Sequence, residues 1–386
     1  MIQRPQALKA IATALEENPV CALLGPRQCG KTTLAKQIAE KGKSHFFDLE
    51  TATGRTRLEH SPELTLSELQ GLVVIDEIQQ LPGLFTTLRP LADRPHRPAR
   101  FLILGSASPA LIKGVSESLA GRVGFVDLGG FSLEEVGAPG LPELWLRGGF
   151  PRSFLAPSDR GSERWRQNFI RTFLERDIPQ LGIRIPAETL RRFWMMVAHY
   201  HGQIWNGAEL ARSFGVSETT VRHYLDLLTG TFLLRQLPPW FENLGKRQYK
   251  APKIYVRDSG LLHSLLGARG RDELLGHPKL GASWEGFALE QVLHAAGAAK
   301  VHYWGTHAGA ELDLMLFRGG QRYGIEFKHA DAPAMTRSLH IALADLKLQR
   351  AWVVYPGKES YPVHEKVQVC PLPELLDQLA ALALSP

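Results

Sequence analysis

Residues 25–33 have the composition of a loop that binds phosphate groups. The segment follows a short apolar run and precedes residues of helical composition. Glycines let backbone N–H groups surround phosphate oxygens, a lysine reaches the terminal phosphates, and the next hydroxyl can coordinate Mg²⁺. We therefore expect a nucleoside triphosphate and Mg²⁺ to bind at Gly25, Pro26, Arg27, Gln28, Cys29, Gly30, Lys31, Thr32 and Thr33.

Two carboxylates at the end of a second apolar run complete the chemistry of hydrolysis. Asp76 and Glu77 follow the apolar residues 72–75 directly. A carboxylate in the first position holds Mg²⁺, here together with Thr32, and a carboxylate in the second position orients and deprotonates water. Ser106 follows a third apolar run and is our candidate for sensing the γ-phosphate.

A separate set of acidic residues lies in the last third of the chain. Asp313 and Glu326 occupy two strand-like segments that a Gly-Gly turn at 319–320 connects, and Lys328 follows two residues after Glu326. With Glu285 in an upstream helical segment, the set resembles the PD-(D/E)xK restriction-endonuclease-like superfamily.

That resemblance implies a metal site in which Asp313 and Glu326 bind Mg²⁺ or Mn²⁺ and Glu285 assists. Lys328 would position the attacking water. Three alternatives stay open: an active nuclease, a nuclease-like fold without activity, and plain ion pairing across a hairpin.

Residues 206–228 predict a helix-turn-helix. A helix ends at Gly215, and Ser217 begins a second amphipathic helix. Residues 231–237 and the basic segment that includes residues 246–253 and ends at Tyr255 can supply the two strands of a wing. We expect DNA contacts from Thr219, Thr220, Arg222 and His223 on the second helix, and from Lys246, Arg247 and Lys250 in the wing. The alternative is that this domain contacts subunits or a protein partner.

These residues need an α/β scaffold to position them. Strands and helices alternate through residue 130, which predicts a parallel sheet. Segments 165–177 and 187–199 have helical periodicity and predict a helical lid, while segments 351–355 and 374–384 complete the C-terminal sheet. The fold class is α/β: a P-loop NTPase parallel sheet (1–137), a helical lid (138–198), a winged helix-turn-helix domain (199–256) and a restriction-endonuclease-like α/β domain (257–386).

Taken nearly end to end, the sequence resembles the AAA-like bacterial and archaeal P-loop ATPases that carry an uncharacterised C-terminal domain. The residues that carry the resemblance are 25–33, 72–79, 105–106, 119–122, 131–135, 148–151, 175–177 and 253–262. The resemblance implies ATP as the nucleotide, Arg122 as an arginine that stabilises transition-state charge in its own or a neighbouring subunit, and Pro151 as a nucleotide contact. An Arg122 that acts between subunits implies a homo-oligomer.

Composition narrows the class of protein further. The 386 residues are 44% hydrophobic and 22% charged, with a net charge of +6 that favours an anionic partner. Three cysteines without metal-ligand spacing, and the lack of an apolar signal or membrane segment, indicate a soluble cytoplasmic protein with no membrane partner. We expect an ATPase that acts on DNA and contains DNA-binding and nuclease-like domains. The alternative is a nucleotide-dependent switch that binds a protein partner and has no nuclease activity.

Overall fold

The computed structural model describes residues 2–95, 98–106, 109–297 and 300–384. The chain forms two compact units. The first unit comprises residues 1–131 and 230–233, and the second comprises residues 132–229 and 234–386. The three segments expected between residues 138 and 386 fall within the second unit, apart from residues 230–233.

The first unit is built on a five-stranded sheet. Its strands are β1 (Val20–Gly25), β2 (Ser44–Asp48), β3 (Gly71–Asp76), β4 (Ala99–Ser106) and β5 (Val123–Asp127). All neighbours in the order β2-β3-β4-β1-β5 pair in parallel, which confirms the predicted sheet. Every residue of β1 is buried, as a central parallel strand with apolar composition requires.

In the described part of the first unit, six helices accompany this sheet. They are α1 (Pro5–Glu17), α2 (Lys31–Ala39), α3 (Ala52–Glu59), α4 (Pro62–Ser67), α5 (Leu84–Ala92) and α6 (Pro109–Ser118), with a 3₁₀ turn at Ile78–Gln80. Apolar side chains from the strands and helices form one core, in which Phe47, Ile75 and Phe101 are almost completely buried.

The second unit begins with a helical region. Its helices are α7 (Leu133–Val136), α8 (Leu141–Arg147), α9 (Pro151–Phe154), α10 (Asp159–Thr172), α11 (Ile178–Gln180) and α12 (Ala187–His199), with a 3₁₀ turn at Ala138–Gly140 and a π-helical turn at Phe173–Asp177. The helix predicted over 187–199 is confirmed. The one predicted from residue 165 begins earlier, because Ser158 caps α10 by accepting a hydrogen bond from the Gly161 backbone N–H.

Two helices and three short strands follow. They are β6 (Gln203–Ile204), α13 (Gly207–Phe214), α14 (Glu218–Gly230), β7 (Leu234–Leu237) and β8 (Lys253–Val256). Gly215 ends α13 in the left-handed conformation with φ of 73°, and the Ser217 hydroxyl accepts a hydrogen bond from Thr220 N–H, as predicted. β8 pairs antiparallel with both β6 and β7.

The C-terminal part contains a six-stranded mixed sheet. Its elements are α15 (Ser259–Leu266), α16 (Arg271–Leu275), α17 (Leu280–Ala296), β9 (Val301–Gly305), β10 (Glu311–Arg318), β11 (Gln321–Phe327), α18 (Arg337–Asp345), β12 (Arg350–Tyr355), β13 (Tyr361–His364), β14 (Val367–Pro371) and α19 (Leu372–Leu384). The strand order is β13-β14-β12-β11-β10-β9. The strands β9, β10 and β11 are antiparallel neighbours, whereas β12 pairs in parallel with β11 and β14.

The predicted hairpin of β10 and β11 is confirmed. Arg318 pairs with Gln321, and the two residues between them, Gly319 and Gly320, have φ of 52° and 74°. A two-residue turn with positive φ at both positions matches the twist of the flanking strands, and glycine adopts it without a steric penalty. Across the described ranges of the chain, none of the helices combines the length and the apolar run that crossing a bilayer requires.

Candidate functional site

The loop between β1 and α2 has a backbone that its sequence dictates. A Cβ atom on Gly25 would lie 2.1 Å from the Leu128 carbonyl oxygen, so only glycine fits there. Gln28 and Gly30 have φ of 64° and 103°, which turns the loop around the start of α2. Among the described residues no side chain caps the first turn of α2, so its backbone N–H groups and positive dipole end are available to an anion.

Lys31 lies inside this loop. Its side chain is buried, and Nζ donates hydrogen bonds to the carbonyl oxygens of Gly25 at 3.0 Å and Pro26 at 2.9 Å. An ammonium that is almost fully buried and held by loop carbonyls lies where phosphate oxygens would approach the loop. The position of Lys31 therefore fits a triphosphate.

Thr32 and Asp76 meet although 44 residues separate them. The Thr32 hydroxyl donates to Asp76 Oδ2 at 2.7 Å, and Asp76 is 3% exposed. Burial raises the pKa of Asp76, and the hydrogen bond from Thr32 works against that rise. A hydroxyl and a carboxylate at this separation form the pair expected to hold Mg²⁺.

Glu77 directly follows β3 with an unusual backbone conformation. Its φ of 54° is rare for a residue with a side chain, and it turns the carboxylate away from the direction that a continued strand would give. The carboxylate accepts hydrogen bonds from the Gln79 amide and, at 3.5 Å, from the Ser106 hydroxyl. Strand β4 lies between β1 and β3, so Ser106 at its end connects the two sequence motifs.

Other loop residues have separate roles. Arg27 forms an ion pair with Glu50, Cys29 is completely buried, and Thr33 is exposed on α2. Arg4, which sequence reasoning missed, donates to the Cys29 carbonyl at 3.1 Å and to the Gly130 carbonyl at 2.7 Å. It therefore ties the loop to the segment after β5; with its partners more than twenty residues away along the chain, no local pattern could have identified it.

Arg122 does not lie near the loop within this unit. The backbone N–H of Val20, the first residue of β1, donates to the Arg122 carbonyl at 3.1 Å, whereas the loop follows the other end of β1. A six-residue strand spans roughly 16 Å. The Arg122 guanidinium is held by Asp93 at 2.6 and 2.8 Å. These contacts hold the guanidinium away from the loop of its own chain. Action on a nucleotide, in its own or a neighbouring subunit, stays a prediction, and so does the homo-oligomer.

Pro151 lies in the second unit, where the motif at 148–151 has a structural explanation. Asp258 accepts hydrogen bonds from the Gly149 and Leu261 N–H groups, both at 2.8 Å, and thereby caps α15. Gly148 has φ of 76°, and a Cβ there would lie 2.2 Å from Asp258 Oδ1. Two motifs of the resemblance thus form one packing contact, which accounts for these residues without a nucleotide. A nucleotide contact for Pro151 stays a prediction.

The predicted DNA-binding residues lie in two different settings. On α14, Thr219, Arg222 and His223 are exposed and Thr220 is half-buried. Arg222 forms an ion pair with Asp226 one turn later, at 3.2 Å. These side chains share an accessible helix face, as the helical spacing predicted.

The basic segment 246–253 is not a free wing. Lys246 forms an ion pair with Asp345 at 2.6 Å, and backbone hydrogen bonds join Tyr249 N–H to the Gly305 carbonyl and His307 N–H to the Arg247 carbonyl. The loop before β8 is therefore fixed along the edge of the C-terminal sheet. Arg247 and Lys250 keep exposed side chains.

Lys253, the last residue of that basic segment, lies inside the second unit. We use the name Lys253 cluster for Lys253, Glu285, Glu311 and Asp313. Lys253 Nζ lies 3.2 Å from Glu285 Oε1 and 3.2 Å from Asp313 Oδ1, and it also pairs with Glu311. Tyr255 donates to Glu285 at 2.7 Å. Sequence reasoning missed Lys253, Tyr255 and Glu311, because a strand lysine normally points to solvent.

The charges in the Lys253 cluster depend on one another. Burial works to lower the pKa of Lys253, but Glu285 and the other carboxylates raise it well above its ordinary value, so the ammonium stays charged. Burial raises the pKa of Glu285 to about 7, against the attraction of Lys253. The second Asp313 oxygen accepts a hydrogen bond from the Phe327 N–H at 3.0 Å.

Glu326 has different partners. Lys328 Nζ lies 2.9 Å from it, and the Thr336 hydroxyl donates to it at 3.1 and 3.2 Å. Burial raises the pKa of Glu326, and Lys328 opposes that rise. In the parts of the chain that the structure describes, no group of three or more His, Cys, Asp or Glu is placed to hold a metal ion. The carboxylates of Glu285, Asp313 and Glu326 instead have ammonium groups, hydroxyl groups and one backbone N–H as partners, and a metal role for this set stays a prediction.

Three protein families match consecutive parts of the chain. The family described as an AAA domain matches residues 17–137. Two domains of unknown function, DUF8612 and DUF4143, match residues 139–272 and 280–375. The AAA match confirms the expected AAA-like P-loop ATPase domain, and the C-terminal domain belongs to a family whose function is unknown.

Two solved structures match parts of this chain at low identity. The Walker-type ATPase of Pyrococcus abyssi is 14% identical, with 69% of this chain and 96% of that chain covered and a TM-score of 0.46. The RuvB Holliday junction branch migration motor of Thermotoga maritima is 18% identical, with 61% and 90% covered and a TM-score of 0.28. At these TM-scores the similarity does not bear on function.

Two full-length relatives are much more similar. Uncharacterised proteins of Mycobacterium tuberculosis and Mycobacterium bovis are each 51% identical to this chain over 387 aligned positions, which cover 99% of this chain and 88% of theirs. The chain therefore belongs to the same family as these mycobacterial proteins, and it combines an AAA-type P-loop ATPase domain with a C-terminal domain of unknown function.

Proposed function

We propose that the first unit binds ATP with Mg²⁺ and hydrolyses it. The observation that carries this proposal is the 2.7 Å contact of Thr32 with Asp76 beside the buried Lys31. Lys31 and Thr32 lie at the start of α2 and Asp76 lies at the end of β3. Packing brings them together at one end of the sheet, where the uncapped start of α2 offers N–H groups to an anion.

Each side chain has a separate task. Lys31 and the loop N–H groups bind the terminal phosphates and offset their charge. Thr32 and Asp76 would hold Mg²⁺, which when bound supplies further positive charge to the phosphate oxygens. Glu77 orients the attacking water and accepts its proton, while Ser106 and Gln79 hold the Glu77 carboxylate in place.

The proposal extends to DNA as the partner of the second unit. Helices α13 and α14 with strands β6, β7 and β8 follow the element order of a winged helix, and α14 presents Thr219, Thr220, Arg222 and His223 on its accessible face. The net charge of +6 favours a polyanion. ATP turnover would then be coupled to DNA contact at α14, with Arg247 and Lys250 as additional phosphate contacts and Lys246 tied to Asp345.

The C-terminal domain supports a related proposal about its fold. The order α17-β9-β10-β11-α18-β12 joins an antiparallel meander to a parallel strand through a helix. We propose that this is a restriction-endonuclease-like core, in agreement with the sequence pattern around Asp313 and Glu326.

A protein partner is the second candidate, and one observation favours it. The wing segment packs along β9 instead of extending into solvent, which leaves less basic surface for a duplex. In that case the protein is a nucleotide-dependent switch, and the accessible face of α14 binds another protein.

DNA binding and ATP turnover distinguish the two candidates. If DNA is the partner, duplex DNA should raise the ATPase rate of the full chain, and Arg222→Ala together with Arg247→Ala should weaken DNA binding and flatten its dependence on salt. Arg171→Ala is the matched control, since Arg171 at the end of α10 pairs with Glu175 in the following π-helical turn, with the same spacing as Arg222 and Asp226. Equal DNA affinity and salt slope in all variants would contradict the DNA proposal and favour the protein partner.

A further inference from the structure

A buried ammonium occupies the place where the proposed endonuclease-like fold calls for a metal ion. Lys253 is 2% exposed, and its Nζ contacts carboxylates from α17 and from two positions of β10. A lysine is almost never fully buried unless it is paired, and an ammonium has three N–H groups to donate. Three carboxylates surround Lys253, so its donor capacity and the oxygens facing it are matched.

Further donors also hold the carboxylates of the site. Asp313 accepts from the Phe327 N–H at 3.0 Å, Glu285 accepts from Tyr255 at 2.7 Å, and Glu326 is held by Lys328 and Thr336. A divalent cation at these carboxylates would have to displace the Lys253 ammonium. If it bound beside the ammonium instead, the two positive charges would repel each other. The residues present therefore do not fit a metal centre.

From this disagreement we infer that the Lys253 ammonium takes the place of a metal ion in the C-terminal domain. Lys253 holds the acidic side chains together and keeps divalent cations out. The inference rests on the endonuclease-like fold proposed above. The domain consequently does not cleave nucleic acid through Asp313 and Glu326.

The Lys253 cluster also joins distant segments of the fold. Lys253 lies on β8 of the small three-stranded sheet, whereas Glu285 lies on α17 and Asp313 on β10. The ammonium thus links segments that are 32 and 60 residues apart, in the way a structural metal ion joins distant ligands.

Binding of Mn²⁺ to full-length variants tests the inference. All proteins carry Asp76→Asn, so that the first unit contributes no carboxylate beside Thr32, and bound Mn²⁺ is counted from the loss of the free-ion electron spin resonance signal without nucleotide. We expect Lys253→Met to bind one Mn²⁺ more per chain than its parent, with affinity raised about tenfold or more. Lys246→Met removes a different carboxylate-paired lysine and should bind as the parent does.

A second variant covers the case in which three unpaired carboxylates prevent folding. Lys253→Met with Glu311→Gln leaves Glu285 and Asp313 as ligands and removes one unpaired charge; its folding is checked by circular dichroism. Stoichiometric Mn²⁺ on the parent, or no gain in any folded Lys253 variant, would overturn the inference. So would plasmid cleavage by the unmodified chain with Mn²⁺ that Asp313→Ala abolishes. The ATPase and DNA-binding measurements do not depend on Lys253. A negative result in those measurements would therefore contradict the proposed function without contradicting the inference about Lys253.

Discussion

The hydroxyl of Thr32 donates a 2.7 Å hydrogen bond to the carboxylate of Asp76, which joins the first turn of α2 to the end of β3. Strand β4 separates β3 from β1, so this contact depends on the whole parallel sheet being assembled. The pair lies beside Lys31 and is the part of the site most dependent on tertiary structure.

Replacing Asp76 should change the requirement for Mg²⁺. Asp76→Asn keeps the shape of the side chain but removes its charge, so we expect the Mg²⁺ concentration for half-maximal ATP turnover to rise about 10- to 100-fold. Asp48→Asn is the control, because Asp48 ends the neighbouring strand β2 in register with Asp76. An unchanged Mg²⁺ requirement in Asp76→Asn would remove Asp76 from the metal site.

Glu77→Gln should separate binding from hydrolysis. The amide cannot accept a proton, so kcat should fall about 10²- to 10⁴-fold while the affinity for ATP stays within a few-fold of the unmodified protein. Ser106→Ala should lower kcat less than Glu77→Gln does, because the Ser106 hydroxyl only donates a 3.5 Å hydrogen bond to Glu77. Phosphate release and nucleotide binding are measured on the same preparations. Loss of ATP affinity with an unchanged kcat would assign Glu77 to binding instead.

The contact between Gly148 and Asp258 predicts a difference between two glycine substitutions. Gly148→Ala and Gly182→Ala both place a side chain at positive φ, 76° and 77°, but only the first Cβ would clash, at 2.2 Å from Asp258, since nothing lies within 4 Å of the other. Thermal unfolding should therefore show the larger loss of Tm in Gly148→Ala. Each substitution carries a backbone cost of roughly 1–2 kcal/mol at positive φ, and the additional destabilisation of Gly148→Ala reports the clash with Asp258. Equal losses of Tm in the two variants would contradict the close contact between Gly148 and Asp258.

His263 predicts a dependence of stability on pH. Its ring lies between the Leu146 carbonyl and the Ser283 hydroxyl, and burial lowers its pKa from 6.5 to about 4. The unfolded chain takes up a proton below pH 6.5 while the folded chain does not, so the free energy of unfolding falls as the pH decreases from 6.5 toward 4. This one group accounts for a change on the order of 3 kcal/mol.

The variant His263→Gln should therefore show a shallower slope of unfolding free energy against pH over that range. His223→Gln, which changes an exposed histidine on α14, should keep the slope of the unmodified protein. Identical slopes in all three proteins would show that His263 takes up its proton over the same pH range in the folded and unfolded chains, which would contradict the prediction.

Local patterns in the sequence were sufficient for part of this structure. The phosphate-binding loop, the strand that ends at Asp76 and the Gly319–Gly320 turn are each encoded within a few residues, because backbone conformation and apolar periodicity are local properties. The α12 helix was predicted for the same reason.

The contacts that the sequence did not reveal join residues that are far apart along the chain. Lys253 has the composition of a basic surface segment, and only the register of β8 against β6 and β7 turns it toward Asp313, 60 residues later. Asp258 and Gly149 are 109 residues apart. Local sequence therefore could not show that the motif at 148–151 packs against the residue that caps α15. Arg122 follows a helix and precedes a strand, and nothing local shows which end of the sheet it occupies.

The central claim is that the loop at Lys31 hydrolyses ATP, and steady-state phosphate release tests it most directly. Lys31→Ala should lower the rate by about two orders of magnitude or more, whereas Lys36→Ala, which removes an exposed lysine from the same helix α2, should leave it unchanged. Circular dichroism confirms that both variants are folded. Turnover in folded Lys31→Ala at the rate of the unmodified protein would contradict the account.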